Sequence, residues 1–451
     1  MSDADDARRE AEAVYQELIA RIGENNPQPR LEPTRRAVEL LGDPQSSAPV
    51  VHLTGTNGKT STARMIESML RASGLRTGLL TSPHLVVVNE RIVIDGEPVS
   101  DEALVRNWRD IAPHLALVDA ELAADGEEPL TYFEALTVLA FAVFADAPVD
   151  VMVLEVGMGG EWDSTNVADA DVAVFTPISL DHVQRLGSTV SEIAKTKAGI
   201  IKPASLVVTA MQQIEAMDEI RAAAEMDEAS VAIEQVDFAL ESTAVAVGGQ
   251  LVTVRGRAAR YDDVFLPLYG DHQGQNAAVA IAAVESFLGD GTRPLDPDVV
   301  AQGLGAVTSP GRLQLVGVEP TVLVDAAHNS HGARALAAAM TEFFDFAEVG
   351  IVLAVLEDKD AHGIVEELAP VGSRFFVTRS SSERAIPADD LAALVRGVAG
   401  PDALDVDDDL TAAVEAAREW AGDDPKRAVL VTGSITLVGE AIALAEAEGW
   451  K

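Results

Sequence analysis

The sequence predicts an α/β protein of two domains, each wound around a mostly parallel sheet, and three observations carry that expectation. The chain has 451 residues, more than one compact core usually organises. Short apolar runs alternate with stretches of helical periodicity along most of it, as strands joined by crossover helices do. At Ser309-Pro310-Gly311 the alternation stops and then restarts. That break sets a hinge near 308–316, between a first domain over 1–310 and a Rossmann-like second domain over 316–451.

Taken in order, P-V-V-H-L at 49–53 reads as a buried strand. A glycine-containing turn leads from it into a helix with Met65, Ile66, Met69 and Leu70 on one face. Apolar runs predict further strands at 150–156, 171–176 and 205–209. Over 231–268 the pattern changes to short β runs around Gly248-Gly249, which predicts a small antiparallel insertion. An alanine-rich helix begins near His272. Behind the hinge, strands are expected at 321–324, 349–355, 374–377 and 428–431, each followed by a helix. A cleft between two such domains is a common home for a nucleotide and a second substrate.

Composition removes several functions. A net charge of −40 opposes nucleic-acid binding and docking to anionic lipid. No apolar stretch reaches the ~18 residues that suggest a membrane span. The acidic, amphipathic N-terminus M-S-D-A-D-D-A-R-R-E-A-E-A-V-Y-Q has the pattern of neither a signal nor a transit peptide. Without cysteine there are no disulfides and no thiolate metal sites. A cytoplasmic protein is the expectation. Lysine occurs only seven times, yet Lys195, Lys197 and Lys202 fall together and Lys59 sits in a glycine-containing turn. In a chain that avoids lysine, such placement points to use.

The run T-G-T-N-G-K-T-S at 54–61 lies between the first strand and its helix. Glycines let backbone N–H groups approach an oxyanion closely, and the helix N-terminus adds its own. Gly55, Asn57, Gly58, Lys59, Thr60 and Ser61 are the expected phosphate-binding set, with Lys59 on the β- and γ-phosphates and Thr60 or Ser61 serving phosphate or magnesium. Leu53 stands where the strict G-x-x-x-x-G-K-[ST] pattern has its first glycine. Glu155 ends a very apolar strand, where a buried carboxylate requires an ion or a donor beside it. Asp181-His182 follows another strand end, and by spacing alone His182 is a satisfied histidine. Alone, S-P-H-L at 82–85 reads as a Ser-Pro turn closing a strand. T-Y-F-E at 131–134 reads as a capping box, and Asp325 as a helix cap after a strand.

The phosphate loop resembles that of the Mur ligase superfamily. The ordered set T-G-T-N-G-K, S-P-H-L, G-G-x-x-D-x-T-N-V, K-A-G-I, P-G-R and A-H-N makes the chain similar, over about residues 31–440, to the folylpolyglutamate/dihydrofolate synthases. The resemblance implies a Mur-ligase-like P-loop N-terminal domain with a central mostly parallel sheet, and a Rossmann-like C-terminal glutamate-ligase domain. It implies ATP and two Mg2+ sites on Ser82, Glu155, His182 and Lys197, with Lys197 carbamylated by CO2. Acceptor contacts are implied for Pro83, His84, Thr131, Tyr132, Phe133, Glu134, Trp162, Asp163 and Ser164. Nucleotide or glutamate contacts are implied for Asn276, Arg312, Asp325 and His328. Glu161 departs from the family's Arg, Ser164 from its Ala, and Ala326 from the first Gly of its D-G-A-H-N.

The reaction so implied starts with a folate-type carboxylate attacking the γ-phosphate of ATP. The acyl phosphate formed is then taken by the amine of L-glutamate, with Lys59, Lys197 and His182 as the catalytic set. Dihydropteroate or reduced folates are the implied acceptors, and a monomer the implied state. Two other readings stand beside it: a ligase adding amino acids to a cell-wall precursor, and a nucleotide-binding regulator without turnover. S-P-H-L and K-A-G-I weigh against the first. Lys59, Glu155, His182 and Lys197 together weigh against the second.

Overall fold

The computed structural model describes residues 3–23, 26, 28–400 and 404–450. Met1, Ser2 and Lys451, which entered the sequence reading, lie outside the described residues. The chain divides into two units: Met1–Thr243 with Leu251–Phe265 and Gly274–Val307, and Ala244–Gln250 with Leu266–Gln273 and Thr308–Lys451. The division expected at residue 310 therefore shifts, because 244–250 and 266–273 belong with the second unit.

The first sheet contains β1 (Val50–Thr54), β2 (Thr77–Leu80), β3 (Ile92–Ile94), β4 (Glu97–Pro98), β5 (Val151–Glu155), β6 (Val172–Phe175), β7 (Leu206–Thr209) and β8 (Ser230–Ile233). Their order is β4-β3-β2-β5-β1-β6-β7-β8. Every pairing from β2 to β8 is parallel, and β3 and β4 join antiparallel at one edge. β1 and β5 are buried along their whole length, as central strands of a parallel sheet are, which is why both read as continuous apolar runs. Leu53 lies beside Glu155 on one side and Val174 on the other. The carboxyl ends of β5, β1 and β6 therefore finish level, and the loops leaving them meet.

β8 corrects the sequence reading. S-V-A-I at 230–233 pairs with β7 in the main sheet, so the separate β element begins only at Ala239. It comprises β9 (Ala239–Ala246), β10 (Gly249–Arg255) and β11 (Arg260–Leu266) in the order β11-β10-β9. The connections at 247–248 and 256–259 are too short for anything but antiparallel pairing. An edge strand with one wet face has the alternation of a hairpin, which is why β8 was grouped with it. β2, β3 and β4 carry no long apolar run and escaped the sequence reading. In β2, Gly78 interrupts the run because a Cβ there would meet the Phe144 ring at 2.7 Å.

The second unit holds β12 (Gln314–Val318), β13 (Thr321–Asp325), β14 (Glu348–Leu353), β15 (Arg374–Val377), β16 (Leu404–Val406) and β17 (Arg427–Thr432). They form one sheet in the order β12-β13-β17-β14-β15-β16, antiparallel at β12 and parallel elsewhere. Leu323, Ile351, Leu353, Phe375 and Leu430 contribute to its core, with Ile364 and Leu391 from the covering helices. Setting β17 between β13 and β14 creates a topological switch point, where ligands of open α/β sheets gather. No helix among the described residues is long and apolar enough to cross a membrane.

Candidate active site

Gly58 precedes the Lys59–Ala72 helix with φ 86°, and Gly55 has φ 151°. A Cβ on Gly58 would meet Asn276 Oδ1 at 2.6 Å, and one on Gly55 would collide with the Thr176 hydroxyl. Glycine alone suits both positions, and the same close approach sets Asn276 against the loop. Thr56 ties the loop to the segment after β6. Its N–H donates to Pro177 O at 2.9 Å, and its hydroxyl pairs with both the carbonyl and the N–H of Ser179 at 3.0 Å. Asp181 and His182 follow directly. Lys59 Nζ donates to the Gly55 and Thr56 carbonyls at 3.2 and 3.3 Å. Asn57 is partly buried and Ser61 buried.

Glu155, at the end of β5, is 1% exposed. Its carboxylate accepts the Thr60 hydroxyl at 2.9 Å and the Ser82 N–H at 3.3 Å. Of the two hydroxyls that sequence offered, Thr60 is bonded to the carboxylate. Lys197 is buried and donates Nζ to Gly55 O at 2.8 Å, the same carbonyl that Lys59 uses. Burial first, then the Lys59 charge, pull its pKa down to about 7, while Asp181 and Asp163 oppose that fall. At neutral pH a substantial fraction of this amine is uncharged. Lys195, on the same helix, is exposed. His182 sits at φ 49° with its side chain 36% exposed and Nε2 3.8 Å from the Asp181 carboxylate.

Among the described residues no three His, Asp or Glu side chains converge as a metal cage. The set Glu155, Thr60 and Ser82 is one carboxylate with two hydroxyl-bearing neighbours beside a phosphate loop. That donor chemistry fits Mg2+, which commonly takes one or two carboxylates and completes its shell with phosphate oxygens.

Three further segments gather near these loops. Arg91 Nε donates to His84 Nδ1 at 2.7 Å, and the Arg91 guanidinium lies 5.2 Å from the centre of the Tyr132 ring. Burial, helped by Arg91, lowers His84 to about 3, so its ring is neutral. Tyr15 meets His84 edge-on at 5.7 Å. Phe133 packs where a Cβ on Gly157 would stand, 2.7 Å from its ring. Thr131 and Glu134 form the expected capping box, and Arg30 adds two bonds to the Glu134 carboxylate at 3.1 and 3.2 Å. Their polar atoms are thus committed to the helix start. Asp163 is similarly engaged by its own loop, accepting from Met158 N–H, Thr165 N–H and the Thr165 hydroxyl. Burial raises the Asp163 pKa against those bonds. Ser164 is buried and Trp162 partly so.

In the second unit Asp325 ends β13 and accepts from Leu313 N–H and Ala327 N–H, both at 2.9 Å. Burial raises its pKa while Arg312 opposes the rise. Burial, then Arg312, lowers His272 to about 4. His328 Nδ1 is 2.9 Å from Ala326 O. At the neighbouring strand ends, the hydroxyls of Thr432, Ser434, Thr378 and Ser380 are buried and make no hydrogen bond to the described residues. Thr432 and Thr378 stand on β17 and just past β15, on either side of the Leu353 end of β14. Ser434 precedes the Ile435–Glu448 helix without a side-chain cap bond.

Comparison with known proteins reads this geometry. The Mur ligase middle domain matches residues 53–284, and the Mur ligase glutamate ligase domain matches 311–435. The dihydrofolate synthase/folylpolyglutamate synthase of Mycobacterium tuberculosis is 44% identical over 93% of this chain and 91% of its own. The chain belongs to this family of Mur ligases. It is an ATP-dependent ligase that joins glutamate to folate-type carboxylates. The M. tuberculosis folylpolyglutamate synthase complexed with ADP superposes with TM-score 0.93 at 42% identity, covering 97% of this chain and 99% of that one. The E. coli FolC protein in complex with DHPP and ADP gives 0.80 at 30% identity, covering 93% and 94%.

In this ligase the sequence reading passed over several residues. Arg91 lies in N-E-R-I at 89–92, and nothing in one sequence tells that it joins His84 to Tyr132. Tyr15 and Arg30 are far from every motif. Thr378 and Ser380 sit in no recognisable pattern. A buried hydroxyl becomes conspicuous only when its neighbours are known.

Proposed function

We propose that this ligase uses both dihydropteroate and reduced folates as acceptors, through an acyl phosphate, and that the residues described above divide the work. The observation that carries the reading is the convergence on one carbonyl: Lys59 and Lys197 both donate to Gly55 O, with Asp181 close enough to perturb Lys197. The Lys59 ammonium at a helix N-terminus gives local positive charge suited to a polyphosphate despite the −40 total, and it helps keep the neighbouring Lys197 amine uncharged.

In the proposed division Gly55, Asn57, Gly58, Lys59, Thr60, Ser61 and Asn276 hold the nucleotide, and Arg312, Asp325 and His328 of the second unit are candidates for nucleotide or glutamate contacts. Glu155, Ser82 and His182 would hold Mg2+, which when bound neutralises developing phosphate charge. Lys197 suits carbamylation: its uncharged amine bonds the carbon of CO2 and loses a proton, turning a cation into an anion beside the metal ligands. Pro83, His84, Tyr132, Phe133, Trp162, Asp163 and Ser164 would line the acceptor, with Thr131 and Glu134 shaping that wall through the helix cap. The substrate carboxylate oxygen attacks the γ-phosphorus and ADP leaves; the glutamate nitrogen then displaces phosphate from the acyl carbon. The protein's main task is to hold these partners in line.

The glutamate carboxylates fit the hydroxyls of Thr378, Ser380, Thr432 and Ser434 and the start of the Ile435–Glu448 helix, where N–H groups favour an anion. The cysteine-free chain and its family suit a monomer of the cytoplasm. ADP release with Mg-ATP and glutamate, offering dihydropteroate and tetrahydrofolate separately, tests the proposal. Turnover with both supports it, turnover with one restricts it to that branch, and silence with both rejects it.

A further inference from the structure

Two side chains on one face of β1, His52 and Thr54, reach the loop that carries G-G-E-W-D-S-T-N-V. The Thr54 hydroxyl donates to Gly159 O at 2.8 Å. His52 Nε2 lies 2.8 Å from Thr165 Oγ1, and the Thr165 hydroxyl donates to Asp163 Oδ1 at 2.5 Å. His52, Thr165 and Asp163 are all buried. Asp163 also accepts two backbone N–H groups, so its carboxylate acts as acceptor and takes the single proton of Thr165. His52 must then donate through Nε2, which fixes its tautomer. Its Nδ1 is left a buried acceptor with no hydrogen-bond partner among the described residues.

An unpaired buried acceptor destabilises a fold, and an aliphatic residue would suit a central parallel strand better. Stability therefore does not account for this histidine. Position does: two residues beyond it β1 ends at Thr54, and the phosphate loop begins at Gly55. One strand thus carries the phosphate loop on its backbone and holds the acceptor loop by two side chains.

We infer that His52 is a positioning residue for the acceptor: through Thr165 and Asp163 it fixes the acceptor-binding loop against the phosphate loop, so that the substrate carboxylate meets the γ-phosphate at reacting distance. This rests on the acceptor role proposed above for residues 162–164.

Steady-state kinetics of the full chain test it, using H52Q, H52L, T165V and W162A, with dihydropteroate varied at saturating ATP and the reverse. Gln presents an amide N–H near the Nε2 position, whereas Leu keeps the bulk without a donor. His52→Leu and Thr165→Val should raise the acceptor KM about tenfold and leave the ATP KM within about twofold, and His52→Gln should stay within about threefold of the parent. Nitrogen-15 NMR of the histidine-labelled chain should show His52 as the Nε2–H tautomer. Equal changes in both KM values, an unmoved acceptor KM in His52→Leu and Thr165→Val, or an Nδ1–H tautomer would overturn the inference. Should His52→Leu not fold, Thr165→Val carries the same test. An acceptor KM unmoved by Trp162→Ala overturns the acceptor role of the loop itself. A raised value there, with His52→Leu silent, overturns only the part given to His52.

Discussion

The carboxyl ends of the two sheets present different chemistry. Around β1, β5 and β6 the groups are ionic: Lys59, Lys197, Glu155, Asp163 and Asp181, each held by a named bond or a neighbouring charge. Around β17, β14 and β15 they are hydroxyls, Thr432, Ser434, Thr378 and Ser380, without hydrogen bonds to the described residues. The first arrangement suits a polyphosphate and a metal ion, which need strong local charge. The second suits a small polar ligand held by directional hydroxyl donors, with the Asp325 carboxylate in register beside Thr432. Both lie where parallel strands end, so the fold supplies the location and the side chains choose the ligand.

The sharpest way to break the comparison is to remove charge from the first region. Lys59→Met should lower kcat/KM by roughly a thousandfold, the scale seen when a group that stabilises transition-state charge is lost. Exposed Lys195→Ala, two residues from buried Lys197, should stay within about twofold. Equal losses in the two variants would mean that general cationic charge, not placement, matters. Gly58→Ala comes next. Its new Cβ would strike Asn276 Oδ1 at 2.6 Å in a backbone with φ 86°. We expect the ATP KM to rise by about tenfold or more while the glutamate KM holds, since a displaced loop loses its phosphate contacts.

The hydroxyl region should answer in the opposite sense. Ser434→Ala and Thr378→Val should each raise the glutamate KM about tenfold, the worth of one hydrogen bond to a charged group, and leave the ATP KM unchanged. A rise in the ATP KM instead would assign the hydroxyls to the nucleotide and dissolve the contrast.

The smallest effect is on stability. Burial lowers His52 to about 3 in the first unit and His272 to about 4 in the second, both from 6.5. Each is neutral when folded and takes up a proton on unfolding below pH 6.5, so the unfolded state binds more protons. Stability therefore falls as pH drops from 6.5 towards 3 for His52 and towards 4 for His272, by at most ~1.4 kcal/mol per pH unit for each. Urea midpoints at pH 8, 6 and 5 should show this decline, and a shallower one in His52→Gln. A slope identical to the parent's would show that folding does not lower the pKa of His52.

How legible the molecule was follows from burial. β1, β5, β6 and β7, and in the second sheet β13, β14, β15 and β17, could be read because a strand covered on both faces is mostly apolar, whereas the short, half-buried β16 escaped. β2, interrupted by Gly78, and β8, half exposed at an edge, could not be read correctly, because what shaped them was the Phe144 ring in one case and pairing with β7 in the other. The phosphate loop was legible for a related reason. Its glycines are demanded by local backbone geometry, φ 151° and 86°, and that demand is written within eight residues.

What the sequence determined by itself was therefore the α/β class, the phosphate loop and, through ordered motifs, the ligase family. Only the tertiary structure decided that Lys59 and Lys197 share one carbonyl, that Thr60 is bonded to Glu155, and that His52 reaches Asp163 through Thr165. These pairs are separated by scores of residues in the chain. A hydrogen bond depends on ångström distances that the register of β1, β5 and β6 sets, and no local pattern encodes that register.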